Sequence, residues 1–486
     1  MENSNQNLHV LLLPYFTPSH MIPLVDMGRL LATRGVTVTI VTTPHNALLF
    51  RESILQDVES GNQIHVRELT FPSKEVGLPE GIENFNAITS SEMSSKVFYG
   101  VMLLQKPMED LIRNISPDCI FSDMFYPWTA DLADELNIPR LMFYPSSFLY
   151  HCVTHSLSVY APHDNVESET DTFLVPNLPD KIEMKRCQLQ EHVKVKTRFG
   201  ELIKAIKESE QKSYGLVHHT FYELEPAYAD HYGEIKNCKF WHIGPIFQFF
   251  KKAETFSTSS SEQHYSLSWL DTQNPGSVLY ICFGSMVRFS DAQLTEIALA
   301  LEASKIQFIW VVRKSVDNQE KWLPSGFEQR ILKNNKGLIV REWVPQVKIL
   351  DHPSTGGFLT HCGWNSVLEA VVAGVPLVTW PLFAEHFYNE KLVELLRVGV
   401  RVGADVWNSG FEITSPLVRR ELIQNALAKL MDGSDESSMI RRRAEEIGVL
   451  ARSAVLDGGS SSNQLSGLIE EMKAFSQEKT KSGSRN

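Results

Sequence analysis

The sequence predicts an α/β protein made of two doubly wound domains that face each other across a cleft. Three observations carry this. The chain opens strand–helix–strand, with short apolar runs separated by helix-length segments. A polar, Ser-rich stretch then breaks that rhythm, and a second series of the same kind follows it. At 486 residues the chain is also too long for one ordinary domain.

The first strand is HVLLL, His9–Leu13, followed by the loop PYFTPSH and a helical pattern over 21–34. The β-branched run VTVTIVT at 36–42 reads as a buried strand. Runs at 119–121, 140–144 and 216–218 continue the series to about residue 245, which sets an N-terminal domain at 1–250. KKAETFSTSSSEQHYS has no apolar period, and the linker is placed at 251–268. VLYICF at 278–283 opens the second series, with a helix over 290–304 and strands at 308–312, 338–340, 358–360 and 375–380. That sets a C-terminal domain at 269–465, with 466–486 as a C-terminal helix and tail packing back on the N-terminal domain. Ligands of doubly wound sheets sit at the carboxyl ends of the strands, so two such sheets make an interdomain cleft the expected binding site.

A net charge of −12 argues against a nucleic-acid surface or an anionic membrane as partner. The six cysteines are scattered with no CxxC pair, which suits reduced thiols in the cytoplasm. MENSNQN lacks the basic and apolar regions of a secretory signal, and no apolar run approaches the ~20 residues of a membrane span.

The chemistry concentrates in GGFLTHCGWNSVLEAVVAGVPLVTW, residues 356–380. An apolar strand ends in His361, Cys362, Gly363, Trp364, Asn365 and Ser366, and an amphipathic helix begins. A helix start offers free N–H groups and a positive dipole end to phosphate. Asn365 and Ser366 either touch that anion or simply cap the helix. Glu369 shares their face; it either accepts two ribose hydroxyls or closes a capping box with Ser366. Trp343, before the Pro345 turn, either stacks on a planar base or fills a core. Glu385 and His386, after the strand end at Trp380, either bind a polyol or start a helix. Together these features describe a nucleotide sugar.

At these residues the sequence resembles a known family. The 44 residues 343–386 are similar, nearly position for position, to the donor-binding box of plant UDP-dependent glycosyltransferases that modify small secondary metabolites. SHMIPLVDMGRLL, TTPHNALLF, SDMFYPW and YICFGS look familial as well. The resemblance implies the GT-B fold, two Rossmann-like domains facing a cleft. It implies that Trp343 stacks on uracil, with Val344 and Gln346 at its edge and the adjoining ribose. His361, Ser366, Gly363, Asn365 and Ser285 hold the phosphates, and Glu369 takes the ribose hydroxyls. Trp364, Asn365, Glu385 and His386 line the sugar. The UDP-sugar is a co-substrate, with no metal and no other cofactor, and the chain is expected to act as a monomer.

Two positions depart from the family pattern. The last box position is usually glutamine in glucose-using members and here is His386, which favours galactose as the donor sugar with glucose next. The residue before His20 is Ser19 where many relatives have glycine, a change in a loop that touches the acceptor.

In the N-terminal half, His20 precedes a helix and Asp123 ends an apolar run; read alone, His20 is a capping or packing residue. By resemblance they pair, His20 taking the proton of an acceptor hydroxyl while Asp123 orients the imidazole. The oxygen then displaces UDP with inversion. Tyr15, Phe16, Phe125, Tyr126, Ser146 and Phe148 are the candidate acceptor residues, with ordinary core the competing role for each aromatic. HNALLF and the Glu-His box end point to a small hydrophobic acceptor of the triterpenoid or steroidal sapogenin class, or its monoglycoside, with flavonoids and other phenolics as the alternative. A nicotinamide oxidoreductase is the rival class, but the first βα turn lacks G-x-G-x-x-G. A non-catalytic sugar-nucleotide binder is the second rival, and it has no need of a His–Asp base.

Overall fold

The computed structural model describes residues 7–88, 90–251, 264–312, 321–410 and 412–483. Most of the expected linker at 251–268 therefore lies outside the described residues, as does the end of the expected tail.

Among the described residues nine strands precede the Ser-rich stretch: β1 His9–Leu13, β2 Thr37–Thr42, β3 Ile64–Glu68, β4 Cys119–Asp123, β5 Arg140–Tyr144, β6 Thr172–Val175, β7 Ile182–Lys185, β8 Gly215–His218 and β9 Lys239–His242. Seven of them form one parallel sheet in the order β3-β2-β1-β4-β5-β8-β9, and β6 and β7 make a separate antiparallel hairpin. Six strands follow among the described residues: β10 Val278–Cys282, β11 Gln307–Val311, β12 Gly337–Val340, β13 Thr355–Thr360, β14 Leu377–Thr379 and β15 Gly399–Arg401. They form a second parallel sheet in the order β12-β11-β10-β13-β14-β15.

The central strands are apolar along their whole length because helices cover both faces. Every residue of β4 and of β13 is buried, as are Val10 to Leu13 of β1. In both sheets the winding direction reverses once. The reversal falls between β1 and β4 in the first sheet and between β10 and β13 in the second. At such a point the loops leaving two adjacent strands diverge to opposite faces and open a crevice at the strands' carboxyl ends.

The helix after β1 runs Pro18–Thr33, three residues earlier than the apolar pattern alone suggested, because Pro18 fits the first helical turn, where no N–H is needed. The helix after β10 is Asp291–Ala303, capped by Ser290 Oγ accepting from Gln293 N–H at 3.3 Å. The last helix, Ser460–Gly483, begins ahead of the expected 466 and continues through most of what reads as a tail. Leu465, Leu468, Ile469 and Met472 recur at helical spacing and join the buried cluster of the first half that includes Trp241 and Ile243, with the helix packed beside β9. Ser476 Oγ ties the helix to Asp118 at 2.6 Å, and the Tyr214 hydroxyl meets Glu471 at 2.5 Å. Among the described residues no helix is long and apolar enough to cross a membrane.

Candidate active site

The two reversal points place the residues singled out by the sequence. β1 runs into the loop carrying Tyr15 and on into the helix Pro18–Thr33, whose first turn carries His20, and Asp123 is the last residue of β4. β10 runs into Gly284 and Ser285, and β13 runs into His361.

In the first half, His20 Nδ1 lies 2.8 Å from Asp123 Oδ2. Asp123 is fully buried, and its other oxygen accepts the Phe125 N–H at 3.0 Å, so the carboxylate is held from both sides. With Nδ1–H donating to the carboxylate, Nε2 is the free lone pair. Burial alone pushes the His20 imidazole down. The charge and hydrogen bond of Asp123, joined by the charge of Glu385, outweigh that and leave it above the ordinary histidine value. The Tyr15 and Phe125 rings sit 6.2 and 5.2 Å from the imidazole and wall it in.

In the second half, the helix Trp364–Ala373 starts from Gly363 with no side-chain cap. Of the two roles open for Asn365 and Ser366, capping is therefore not used. Glu369 does not close a capping box either: its Oε2 accepts from Gln346 Nε2 at 2.6 Å, and Gln346 in turn accepts from the Tyr280 hydroxyl at 3.0 Å. Burial raises the Glu369 carboxyl to about 7, opposed by the Gln346 hydrogen bond. The His361 ring fits only because two neighbours lack side chains. A Cβ on Gly284 would stand 2.7 Å from its Nε2, and one on Gly363 2.6 Å. Burial pushes His361 down to about 4, so it meets an anion as a neutral N–H donor.

Trp343 stands 82% exposed at the rim, a free aromatic face that core packing does not explain. Val344 is buried, leaving only its backbone for a ligand, and Ser285 is exposed in the turn after β10. The Trp364 indole is also buried and donates to the His219 carbonyl at 2.7 Å, so any sugar contact there falls to its backbone. Glu385 stands half-buried at the start of the helix His386–Leu396. His386 is only 3% exposed; its Nδ1 accepts from the Phe383 N–H at 3.3 Å and its ring stands edge-on to His361 at 4.8 Å.

The acceptor side requires corrections. Phe16, Tyr126 and Phe148 are core residues. Phe16 turns inward beside Phe71, the Tyr126 hydroxyl is spent on the Pro14 carbonyl, and Phe148 packs under the sheet against His218 and Tyr232. Phe16 and Tyr126 directly follow Tyr15 and Phe125 in sequence, yet both are buried. Ser146 is buried with its Oγ 2.9 Å from His151 Nε2. Tyr15 and Phe125 remain beside His20, their rings 4.6 Å apart. Two residues join them that the sequence did not announce. Phe85 stacks on Tyr15 at 5.7 Å, and Phe199 lies 6.3 Å from Phe125 with 46% of its surface exposed. Neither sits in a motif. The one available signal was an aromatic opening an otherwise charged helix, Arg198–Lys212.

Comparison with known proteins accords with this geometry. Residues 242–432 match the family described as UDP-glucoronosyl and UDP-glucosyl transferase. The chain is 53% identical to nuatigenin 3-beta-glucosyltransferase of Solanum aculeatissimum, over 98% of this chain and 99% of that one. It is 45% identical to soyasapogenol B glucuronide galactosyltransferase of Glycine max, over 97% of each. Among solved structures, Glycyrrhiza uralensis UGT73P12, complexed with glycyrrhetinic acid 3-O-monoglucuronide, superposes with a TM-score of 0.93 at 39% identity, covering 99% of this chain and 98% of that one. The protein is a member of the plant UDP-glycosyltransferase family and has its GT-B fold.

Proposed function

We propose that this enzyme transfers glucose from UDP-glucose, with inversion, to a hydroxyl of a steroidal or triterpenoid sapogenin or its monoglycoside. The observation that carries the reading is the His20–Asp123 pair at one reversal point, set opposite the His361–Glu369 surface at the other. His20 Nε2 removes the acceptor proton, and Asp123 stabilises the imidazolium that forms. The freed oxygen attacks the anomeric carbon from the face opposite UDP. The uncapped helix start at Gly363 and the neutral N–H of His361 receive the charge that develops on the leaving diphosphate, a role that requires no metal.

Two lines support the acceptor class: the names of the relatives above, and an aromatic enclosure of Tyr15, Phe85, Phe125 and Phe199 that suits a large apolar ring system. For the donor, we place glucose ahead of galactose, the reverse of the order that His386 suggested. The relative at 53% identity is named a glucosyltransferase, although the one at 45% is a galactosyltransferase. His386 is held by Phe383 and His361 and reads as a wall of the site more than as a free selector. The test is product mass and UDP release with UDP-glucose and UDP-galactose supplied separately to nuatigenin, soyasapogenol B and a flavonol. Glucosylated sapogenin as main product is expected. Faster flavonol turnover overturns the acceptor class, and faster use of UDP-galactose restores His386 as selector.

A further inference from the structure

The helix that carries His20 contains a proline in its second turn, Pro23. In an α-helix the carbonyl of residue i accepts the N–H of residue i+4. Pro23 is the partner due to Ser19, and it has no N–H to give. The Ser19 carbonyl is thus left open in the first turn, one residue before His20.

The C-terminal half fills it. Asn365 Nδ2 donates to the Ser19 carbonyl at 3.1 Å. Only the amide nitrogen can play this part, because a carbonyl accepts and never donates. The other end of the same amide, Asn365 Oδ1, is buried and has no partner among the described residues. Other side chains of the C-terminal half also donate to backbone carbonyls of the N-terminal half, among them Trp364 Nε1 to His219 at 2.7 Å and Arg288 to Ile88. Of these contacts, the Asn365 one lands beside the base.

We propose that Asn365 is a positioning residue: it latches the start of the donor-binding helix onto the carbonyl that Pro23 leaves open, and so sets His20 against the donor. The inference rests on the reading of His20 as base. It explains why a helix that must hold a catalytic side chain steady carries a proline where its own hydrogen bonding loses a donor. That loss removes the regular i+4 donor from an acceptor that the facing half then satisfies, so assembly of the cleft and placement of the base become one event.

The test is a double-mutant cycle on the full-length enzyme with Pro23→Ala, Asn365→Ala and the double variant. Pro23→Ala leaves Asn365 untouched but returns an N–H that competes for the Ser19 carbonyl inside the helix. Transfer is followed by UDP release with UDP-glucose and nuatigenin, and thermal unfolding is recorded in parallel. Pro23→Ala is expected to lower kcat about three- to tenfold, the weight of one hydrogen bond, while Tm holds or rises. In the Asn365→Ala background it should change nothing further. Wild-type kcat in Pro23→Ala, independent losses that multiply in the double variant, or a drop in Tm accompanying the lost activity would each overturn the latch.

A second readout needs no acceptor. Histidine-labelled enzyme reports the titration of His20, which faces Asp123, Tyr15 and Phe125 from its own half and Glu385 from the other. Releasing the latch removes the Glu385 contribution, so the midpoint should fall in Pro23→Ala, and by no more in the double variant than in Asn365→Ala. An unchanged midpoint in both single variants contradicts the proposal. The failures are separable: near-wild-type transfer by His20→Ala removes the base assignment, whereas independent Pro23 and Asn365 effects remove the latch alone.

Discussion

The two halves of this enzyme share one architecture and encode their sites in opposite ways. In the C-terminal half the site is nearly continuous in sequence: 343–386 carries the exposed tryptophan, the uncapped helix start, the Gln346–Glu369 pair and the Glu385–His386 corner. In the N-terminal half it is scattered. Tyr15, His20, Phe85, Asp123, Phe125 and Phe199 come from loops, helix starts and a strand end far apart in the chain, and the adjacency of β1 and β4 brings His20 to Asp123. The difference follows from the ligands. A nucleotide diphosphate is a constant object that one strand–turn–helix unit can grip through backbone N–H groups. A varied apolar acceptor is shaped by side chains from many loops, each free to change without disturbing a sheet.

Damage to the first half is expected to remove chemistry and spare nucleotide binding, and damage to the second the reverse. The largest effect is expected for Asp123→Asn. Its loss of charge should cost about 10²–10⁴-fold in kcat/KM with little change in UDP affinity. In wild type the neutral imidazole is the active form, and its pKa is raised, so the acid limb of kcat/KM should fall above the ordinary histidine value of 6.5. In Asp123→Asn burial is opposed by Glu385 alone and the limb should move to lower pH; a limb that stays in place would show that another group is titrating.

Next in size is Glu369→Gln, which should weaken UDP binding roughly ten- to a hundredfold, as for hydrogen bonds to a charged group, while kcat at saturating donor changes less. The same variant sharpens the comparison through stability. A carboxyl raised from 4.5 to about 7 holds more protons folded than unfolded between those values, so its contribution is present below 4.5 and is lost as pH rises through 7. Glu369→Gln should therefore unfold at higher temperature than wild type at pH 8 and differ little at pH 4. Equal Tm at both pH values would mean that the carboxyl is not strained by burial.

A smaller effect is expected for Phe199→Ala. The exposed ring should raise the KM for a sapogenin about three- to tenfold, the cost of part of a buried aromatic contact, without moving UDP affinity. No change would place Phe199 outside the acceptor surface.

The fold was largely legible in the sequence because parallel strands buried on both faces leave unbroken apolar runs, as in HVLLL and FLT, and because the helices between them are bounded by Pro, Ser and Gly. The donor surface was legible in its residues, but not in how they are used. Whether Ser366 and Glu369 cap a helix or face a ligand depends on Gln346, twenty residues upstream of Ser366, and only the folded chain brings that amide to the carboxylate. The acceptor side was least legible. Phe16 and Phe125 are the same residue type beside equally informative neighbours, yet one ring turns into the core and the other toward His20. Direction is set by tertiary packing, and nothing local distinguishes a pocket aromatic from a core one. The Ser19–Asn365 contact shows the same limit, since its partners lie 346 residues apart.

The division of labour is tested most directly by His20→Ala, with UDP titrated calorimetrically and glucose transfer to nuatigenin measured on the same preparation. UDP affinity is expected to stay within about twofold of wild type and transfer to fall by about 10²–10⁴-fold. Transfer near the wild-type rate, or loss of UDP binding together with transfer, would contradict that division.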